Sequence, residues 1–313
     1  MKSSVDRRSL LKGALGGLAC AALPRFALAA RAPAEPIATT ALTERVWVVS
    51  GVGGNVLVLA TPDGQVLVDG GATEHTAALR AQLKTLPGAA RVPTLFNTHW
   101  HPEQTGSNET FGKAGTEIIA HERTRLWLST DRYVPEQNRY EKALPKAAWP
   151  TKSFYTQGSL AVGPEHIDFG YLLEAHTAGD IYVYLRDSNI LAVGGAVSAP
   201  SRDPELDWFA GGWLGGRLDA LALVLKISNE KTRYVPAWGP VLSRSDVQAE
   251  FDQLQGVFTH VAELMRKGYR TEDMVTAGVL EASGRHWNDP AKFLYDTHKG
   301  MWAHHNTLSH DIV

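Results

Sequence analysis

Apolar residues fall along this chain in two rhythms, and the change between them divides it. Residues 44–50 and 55–61 are apolar and β-branched, the composition of strands. Gly51-Val52-Gly53-Gly54 between them offers the positive-φ positions of a turn, so the two runs are expected to pair as a hairpin. Pro62-Asp63-Gly64 turns the chain into a further strand over 65–68, which ends at Asp69-Gly70-Gly71. Leu79, Leu83 and Leu86, at spacings of four and three, predict a helix. Strands are then expected over 92–96, 115–120, 171–175 and 181–185, with a helical turn over 121–128. Residues 129–164 carry four prolines and Tyr133, Tyr140, Trp149, Phe154 and Tyr155 with little periodicity, which predicts an elaborated loop. The second rhythm is helical. Val247, Phe251, Leu254, Phe258, Val261 and Met265 recur at spacings of four and three and form one apolar stripe about five turns long. Further helices are expected over 271–282 and from Pro290, a residue suited to a first helical turn.

The first thirty residues follow neither rhythm. Asp6-Arg7-Arg8-Ser9-Leu10-Leu11-Lys12 precedes a Gly/Ala-rich apolar run and then Ala27-Leu28-Ala29, the pattern of a twin-arginine export signal over residues 1–29. The run over 13–23 is too short to cross a bilayer, so no stable membrane insertion is expected once the signal is cleaved. Gly17 stands where a lipoprotein signal carries leucine or a similar residue, which argues against a lipid anchor at Cys20. A periplasmic location is the expectation. Residues 30–42 are expected to form a flexible leader, and 43–313 a single domain whose last helices span about 245–306.

Composition narrows the classes. At 313 residues, 44% hydrophobic and 20% charged, the chain can bury a large core. Cys20 is its one cysteine, so cleavage leaves no disulfide, thiol nucleophile or thiolate ligand. Loss of residues 1–29 removes five basic residues and one acidic, taking the formal charge from −2 to −6. An acidic chain without a basic stripe is not built to neutralise phosphates, which argues against nucleic acid as a partner. A small-molecule substrate is expected, and a protein partner stays open.

The chemistry gathers in Asn97-Thr98-His99-Trp100-His101-Pro102-Glu103-Gln104, directly after an apolar strand. Side chains at i, i+2 and i+4 of an extended chain share a face, so His99, His101 and Glu103 are expected to project together, with Pro102 holding His101 extended. Two imidazoles make half of a zinc site. His176, in His176-Thr177-Ala178-Gly179-Asp180 between two strands, is the candidate third ligand. His121 reads as structural, and His298, His304, His305 and His310 as a solvated tail. Trp208, Phe209 and Trp213, around Gly211-Gly212, are candidates for an aromatic wall or for core packing.

A hairpin with Gly-Asn, then Val68-Asp69-Gly70-Gly71, Asn97-Thr98-His99-Trp100-His101, His176-Thr177-Ala178-Gly179-Asp180 and Val235-Pro236-Ala237-Trp238-Gly239-Pro240, in that order, resemble the metallo-β-lactamase superfamily of metal-dependent hydrolases. The resemblance spans about residues 44–248. It implies an α/β fold, an αβ/βα four-layer sandwich of two packed mixed β-sheets flanked by helices, with a metal site at one sheet edge. It aligns His99, His101 and His176 with the ligands of a first metal, and Asp69 and Asp180 with positions that buttress them. The family's His-x-His-x-Asp-His reads here His99-Trp100-His101-Pro102-Glu103-Gln104. The other places of a second metal hold Gln104, Gly195 or Ala196, and Trp238; an indole offers no lone pair, and glycine and alanine offer nothing. One zinc per chain is therefore expected, with Trp238 filling the vacated second site. Zinc can bring a water's pKa to about 7. Glu103, one methylene longer than the family's aspartate, is the expected catalytic residue that orients or deprotonates that water. These features predict an exported zinc-dependent hydrolase that cleaves an ester, lactam or similarly activated bond. The alternative is an exported, non-catalytic binding or scaffold protein that keeps the fold and a structural zinc.

Overall fold

The computed structural model describes residues 36–88, 91–134 and 138–308. The export signal read over residues 1–29, with Cys20, and His310 lie outside them. Glycine turns fold the first half into a mixed seven-stranded sheet. In it β1 (Ala38–Ala41), β2 (Val46–Ser50), β3 (Val56–Thr61) and β4 (Gly64–Val68) pair antiparallel in chain order. The flexible leader expected over 30–42 is thus corrected at its far end, where residues 38–41 hydrogen-bond to β2 as an edge strand. After the crossover helix α1 (Thr76–Leu83), β5 (Thr94–Phe96) adds parallel to β4. Next come α2 (Pro102–Thr105), α3 (Asn108–Lys113) and β6 (Glu117–His121), which is parallel to β5. Helix α4 (Glu122–Ser129) leads to a small hairpin of β7 (Arg132–Val134) and β8 (Arg139–Glu141), and β9 (Lys152–Phe154) completes the sheet.

The second sheet is a meander of β10 (Gln157–Val162), β11 (Glu165–Tyr171), β12 (Ile181–Leu185) and β13 (Ile190–Gly194). Helix α5 (Leu214–Ile227) then crosses over to β14 (Arg233–Pro236), parallel to β13. Residues 129–164 are accordingly not a loop: four strands lie within them, three of only three residues, too short to establish a period.

Layer order follows from which faces are apolar. Val46, Val48, Leu57, Leu59 and Phe96 of the first sheet meet Ile167, Phe169, Val183 and Val235 of the second. On the outer face of the first sheet, Val58, Leu67 and Ile118 pack under Leu79 and Leu83 of α1 and Phe111 of α3. On that of the second, Leu191, Val193 and Tyr234 pack under α5, α6 (Arg244–Arg266) and α8 (Pro290–Leu308). Strands buried on both faces explain the unbroken apolar runs, and the result is the αβ/βα four-layer sandwich. Along α6, Val247, Leu254 and Val261 of the expected stripe are buried, with Phe251, Phe258 and Met265 packed beside them. Helix α7 (Thr271–Thr276) is shorter than expected, because Gly278 at φ +66° closes it. Among the described residues no helix is long and apolar enough to cross a membrane.

The sheets are joined where the turn after β2 and the loops after β5 and β14 leave them. Ile181 N–H donates to the Thr98 carbonyl at 2.9 Å and Asn55 N–H to the Ala237 carbonyl at 2.7 Å, while within the second sheet Ala237 N–H donates to the Gly194 carbonyl at 2.8 Å. The candidate ligands sit on this edge.

Candidate metal centre

Strand β5 ends at Phe96 and delivers Asn97 to His101. Asn97 and Asn108, both fully buried, exchange amide hydrogen bonds of 3.0 and 2.8 Å that pin the loop to α3. Asp69, left-handed at φ +66°, aims its carboxylate at the same loop, where it accepts from Thr98 N–H and from the Thr98 hydroxyl, each at 2.8 Å. A non-glycine residue keeps such a φ only where its surroundings over-determine it. His101 is extended at φ −59°, ψ 148°, as the proline after it requires. The extended run stops there. Pro102 opens α2, so Glu103 lies in a helical first turn instead of continuing the face of His99 and His101, and it is no member of the imidazole cluster.

His176 comes from the loop between β11 and β12. Asp180 organises that loop: one carboxylate oxygen accepts from His176 N–H at 2.7 Å and Thr177 N–H at 2.6 Å, and the other from the Thr177 hydroxyl. Asp69 and Asp180 therefore hold the backbones that carry the ligands and contact no imidazole nitrogen directly. The coordinating atoms of His99, His101 and His176 all lie within 4.8 Å of one another. His101 Nδ1 and His176 Nε2 are 3.2 Å apart, close to the edge of about 3.3 Å of a tetrahedron with zinc–nitrogen bonds near 2.05 Å.

The outer nitrogens fix which tautomer each ring adopts. His101 Nε2–H donates to Asp207 at 2.9 Å, and His176 Nδ1–H donates to the Glu205 carbonyl at 2.8 Å. Thr98 donates its hydroxyl proton to the Asp69 carboxyl and so accepts from His99 Nδ1–H at 3.0 Å. In the neutral rings all three inward nitrogens, His99 Nε2, His101 Nδ1 and His176 Nε2, are then lone pairs pointed at one another. His99 Nε2 is buried without a hydrogen-bond partner. Burial, with the charges of His176 and His101, lowers the His99 pKa well below its ordinary value, and burial with the charge of His101 takes His176 down to about 3. Burial also raises Asp69 and Asp180 to about 7 against the hydrogen bonds that oppose it. For Asp207 burial pulls upward, but the hydrogen bond and charge of His101 outweigh it and hold the carboxyl below its usual range. Converging imidazole lone pairs with braced outer nitrogens are the donor set of a borderline-soft metal such as zinc.

The other half of the edge is remodelled as the residue types imply. A Cβ on Gly195 would overlap the His176 ring, so no side chain fits beside that ligand. Ala196 is fully buried in the outer core. Gln104 is fully buried with both amide atoms unpaired, lying against Gly54. Trp238 donates its indole N–H to the Gly53 carbonyl at 2.9 Å and stands with its ring centroid 6.3 Å from His99 and 6.4 Å from His176. Of these side chains only the Gln104 amide oxygen offers a lone pair. A cleft of about 380 Å³ lined by Arg202, Glu205, Lys292 and Phe293 opens nearby, in which Arg202 pairs with Glu205 and Lys292 with Asp296.

Asp207 and the Glu205 carbonyl are the groups that sequence reasoning missed. No fixed spacing links them to the histidines; the one local signal is an aspartate ahead of Trp208-Phe209-Ala210-Gly211, a short turn that it caps through Ala210 N–H. His121 is structural, stacked on Tyr171 at 3.9 Å. His304 corrects the solvated-tail expectation: it stacks on Trp213 at 3.7 Å and faces Glu174, two residues before His176. That contact also removes Trp213 from the aromatic wall.

A three-imidazole centre on the loop edge of an αβ/βα sandwich defines a hydrolase-type fold built around a metal site. The family model described as the metallo-beta-lactamase superfamily matches residues 49–255, and the chain belongs to that superfamily. A metallo-beta-lactamase from Pontibacter korlensis is 23% identical with a TM-score of 0.57, over 70% of this chain and 99% of that one. The DIM-1 metallo-beta-lactamase is 17% identical with a TM-score of 0.55, over 71% and 98%. A double mutant of the sec-alkyl sulfatase PisA1 is 13% identical with a TM-score of 0.63, over 84% of this chain and 50% of that one. No curated protein matches the chain. At these identities the likeness is one of fold.

Proposed function

We propose that this protein is an exported zinc-dependent hydrolase that holds one zinc on His99, His101 and His176 and cleaves an ester, lactam or similarly activated bond. The observation that carries the reading is the convergence of three imidazole lone pairs whose tautomers are fixed by Thr98, Asp207 and the Glu205 carbonyl. A buried nitrogen such as His99 Nε2, left without a partner, is costly unless something coordinates it. Zinc bound there would supply a Lewis acid and a water activated near neutral pH. Burial keeps His99 and His176 neutral and so ready to coordinate. Glu103, in the first turn of α2 directly after His101, is the carboxylate proposed to orient or deprotonate that water. With Gln104, Gly195, Ala196 and Trp238 in the second half, a second electrophile is missing, and bonds with good leaving groups are favoured. Export and a periplasmic location rest on the Arg7-Arg8 segment, and a small-molecule substrate on the acidic charge left once residues 1–29 are removed, which argues against nucleic acid.

The replacements at Gln104 and Trp238 favour a second reading, a non-catalytic scaffold with a structural zinc. Zinc per chain and hydrolysis of ester, lactam, thioester and phosphodiester panels, measured for wild type, Glu103→Gln and His176→Ala, separate the two. One zinc with turnover lost in Glu103→Gln supports the hydrolase. One zinc with no turnover supports the scaffold. A count of two zincs per wild-type chain overturns the reading of the second site as remodelled, and zinc binding by His176→Ala as tight as wild type overturns the three-histidine site.

A further inference from the structure

The largest fully buried side chain among the described residues is a charged one, Arg217. It enters from α5, whose other buried side chains are apolar, and every N–H of its guanidinium has an acceptor. Nε and Nη2 donate to one oxygen of Glu250, at 3.3 and 2.8 Å, and Nη2 also donates to the Ser198 hydroxyl at 2.7 Å. The other Glu250 oxygen accepts from Ser198 N–H at 2.9 Å. Nη1 turns the opposite way and donates to two backbone carbonyls, Gly195 at 2.8 Å and Glu205 at 3.3 Å. Both of those residues touch the third imidazole. The Glu205 carbonyl accepts from His176 Nδ1–H at 2.8 Å, and a Cβ on Gly195 would stand 2.2 Å from His176 Cδ2, so the Gly195 backbone lies against the ring. One guanidinium nitrogen therefore fastens both backbone groups that hold His176, and Nε2 is the ring atom left facing His101. Stability alone does not account for this arrangement. Arg217 and Glu250 are 0% and 2% exposed, and a buried ion pair at best repays the cost of taking its charges out of water, which apolar residues of like volume avoid. An apolar pair has no donors with which to fix two carbonyls. A lysine carries its donors on one atom, which cannot stand in the places of Nη1 and Nη2 together.

We propose that Arg217 is a positioning residue of the metal centre, which fixes the His176 ring in its ligating orientation by clamping the Gly195 and Glu205 carbonyls. This rests on the three-histidine centre and not on the hydrolase reading, so its test needs no substrate. Without the clamp the Glu205 carbonyl can turn from Nδ1–H and the Gly195 backbone can move off the ring. His176 then leaves the orientation that completes the set with His99 and His101, and the metal loses a preorganised third ligand.

Arg217→Lys in the full chain keeps a positive charge for Glu250 and gives up the fork. Its zinc affinity, measured by competition against a chelator, should fall about tenfold or more. Cobalt(II) in place of zinc gives a second readout, because proton NMR of the cobalt-loaded protein shows the outer imidazole N–H of each ligand as a shifted signal. In Arg217→Lys the His176 signal should move or broaden while those of His99 and His101 keep their places. Arg217→Met with Glu250→Gln strands no charge, should weaken zinc binding to the same extent, and carries the test should the first variant fail to fold. The control is Glu165→Gln. Glu165 is fully buried at the end of β11 remote from His176, where it accepts from Asp187 N–H, Ser188 N–H and the Ser188 hydroxyl. Its replacement should lower stability to urea and leave zinc affinity and all three cobalt-shifted signals as in wild type. Zinc binding as tight as wild type in the folded Arg217 variants overturns the clamp, as does an equal loss in Glu165→Gln or a displacement of all three imidazole signals together. Wild type that binds neither ion removes the three-histidine centre itself, and the clamp with it.

Discussion

Asp207 should set how tightly the centre holds its metal. Its carboxylate accepts from His101 Nε2–H at 2.9 Å and separately caps Ala210 N–H at 3.0 Å, so asparagine and alanine remove different things. Asparagine keeps an oxygen for the imidazole and loses the charge. A hydrogen bond to a charged partner is worth about 1.5–3 kcal/mol and one between neutral groups about 0.5–1.5, so Asp207→Asn should cost on the order of 1 kcal/mol, or roughly fivefold to tenfold in zinc affinity. Alanine also releases the His101 tautomer, because nothing then holds the proton on Nε2, and a two-way choice alone takes about 0.4 kcal/mol from the coordinating form. The cap goes as well, loosening the turn that carries the Glu205 carbonyl. Asp207→Ala should then approach the hundredfold end of the range for outer partners of metal ligands. Competition against a chelator of known zinc affinity at pH 7.5 measures both, with denaturant unfolding of the metal-free proteins as a control for the fold. Zinc binding within twofold of wild type in both variants would refute the tautomer argument and leave Asp207 a turn residue only.

Three further outcomes follow from the same contacts. Gly195→Ala should drive a methyl into the His176 ring and lower zinc affinity at least tenfold, with a cost of about 1–3 kcal/mol to metal-free stability, read by chelator competition and urea unfolding. Arg217, fully buried, donates to Glu250 at 2.8 Å and to the Gly195 and Glu205 carbonyls, so Arg217→Met should cost about 3–5 kcal/mol by stranding the Glu250 charge, whereas Arg217→Met with Glu250→Gln should recover part of it. The pH profile of the metal-free protein should show two opposed trends. Asp180 titrates near 7 when folded and near 3.8 when unfolded, so its contribution is full at low pH and is lost as pH rises between those values; His176 titrates near 3 when folded and near 6.5 when unfolded, so its contribution is full above 6.5 and is lost as pH falls. Urea unfolding of wild type and Asp180→Asn from pH 4 to 8 should show the variant gaining on wild type as pH rises, and a difference that stays constant with pH would overturn that assignment.

What the sequence disclosed and what it withheld have separate physical causes. Strands β2, β3 and β4 were legible because apolar runs bounded by Gly51-Val52-Gly53-Gly54 and Pro62-Asp63-Gly64 leave few alternatives, and α6 because its stripe keeps one polar face. Helix α5 escaped notice for the opposite reason: Leu214, Leu218, Ala220, Leu221, Val224 and Leu225 are all buried, so apolar residues ring most of its surface and no stripe stands out. His99, His101 and His176 were legible as a set from the order of motifs. The position of Glu103 was not, since the same Pro102 that holds His101 extended is also a favoured first residue of a helix. Asp207 could not be found, because its partner lies 106 residues earlier and only the fold brings the two together.

The second half of the edge is better described as occupied than as emptied. At Gly195 the reason for glycine is the ligand itself: the His176 ring lies where a Cβ would, so a coordinating side chain could return only if the third histidine moved. Trp238 anchors its indole to Gly53, and Gln104 packs its amide against Gly54, so the glycine turn after β2 supports both replacements. A side chain on Gly54 would strike the Gln104 amide, and Gly53, at φ +102°, disfavours any side chain. Gln104, Gly195 and Trp238 are therefore coupled through contacts with the centre and with this turn. Restoring a single lost ligand, for instance Gln104→His, would leave Trp238 and Gly195 in place and should not raise the zinc count above one. Only a change that frees the His176 side and the Gly53-Gly54 side together has the geometry to admit a second ion.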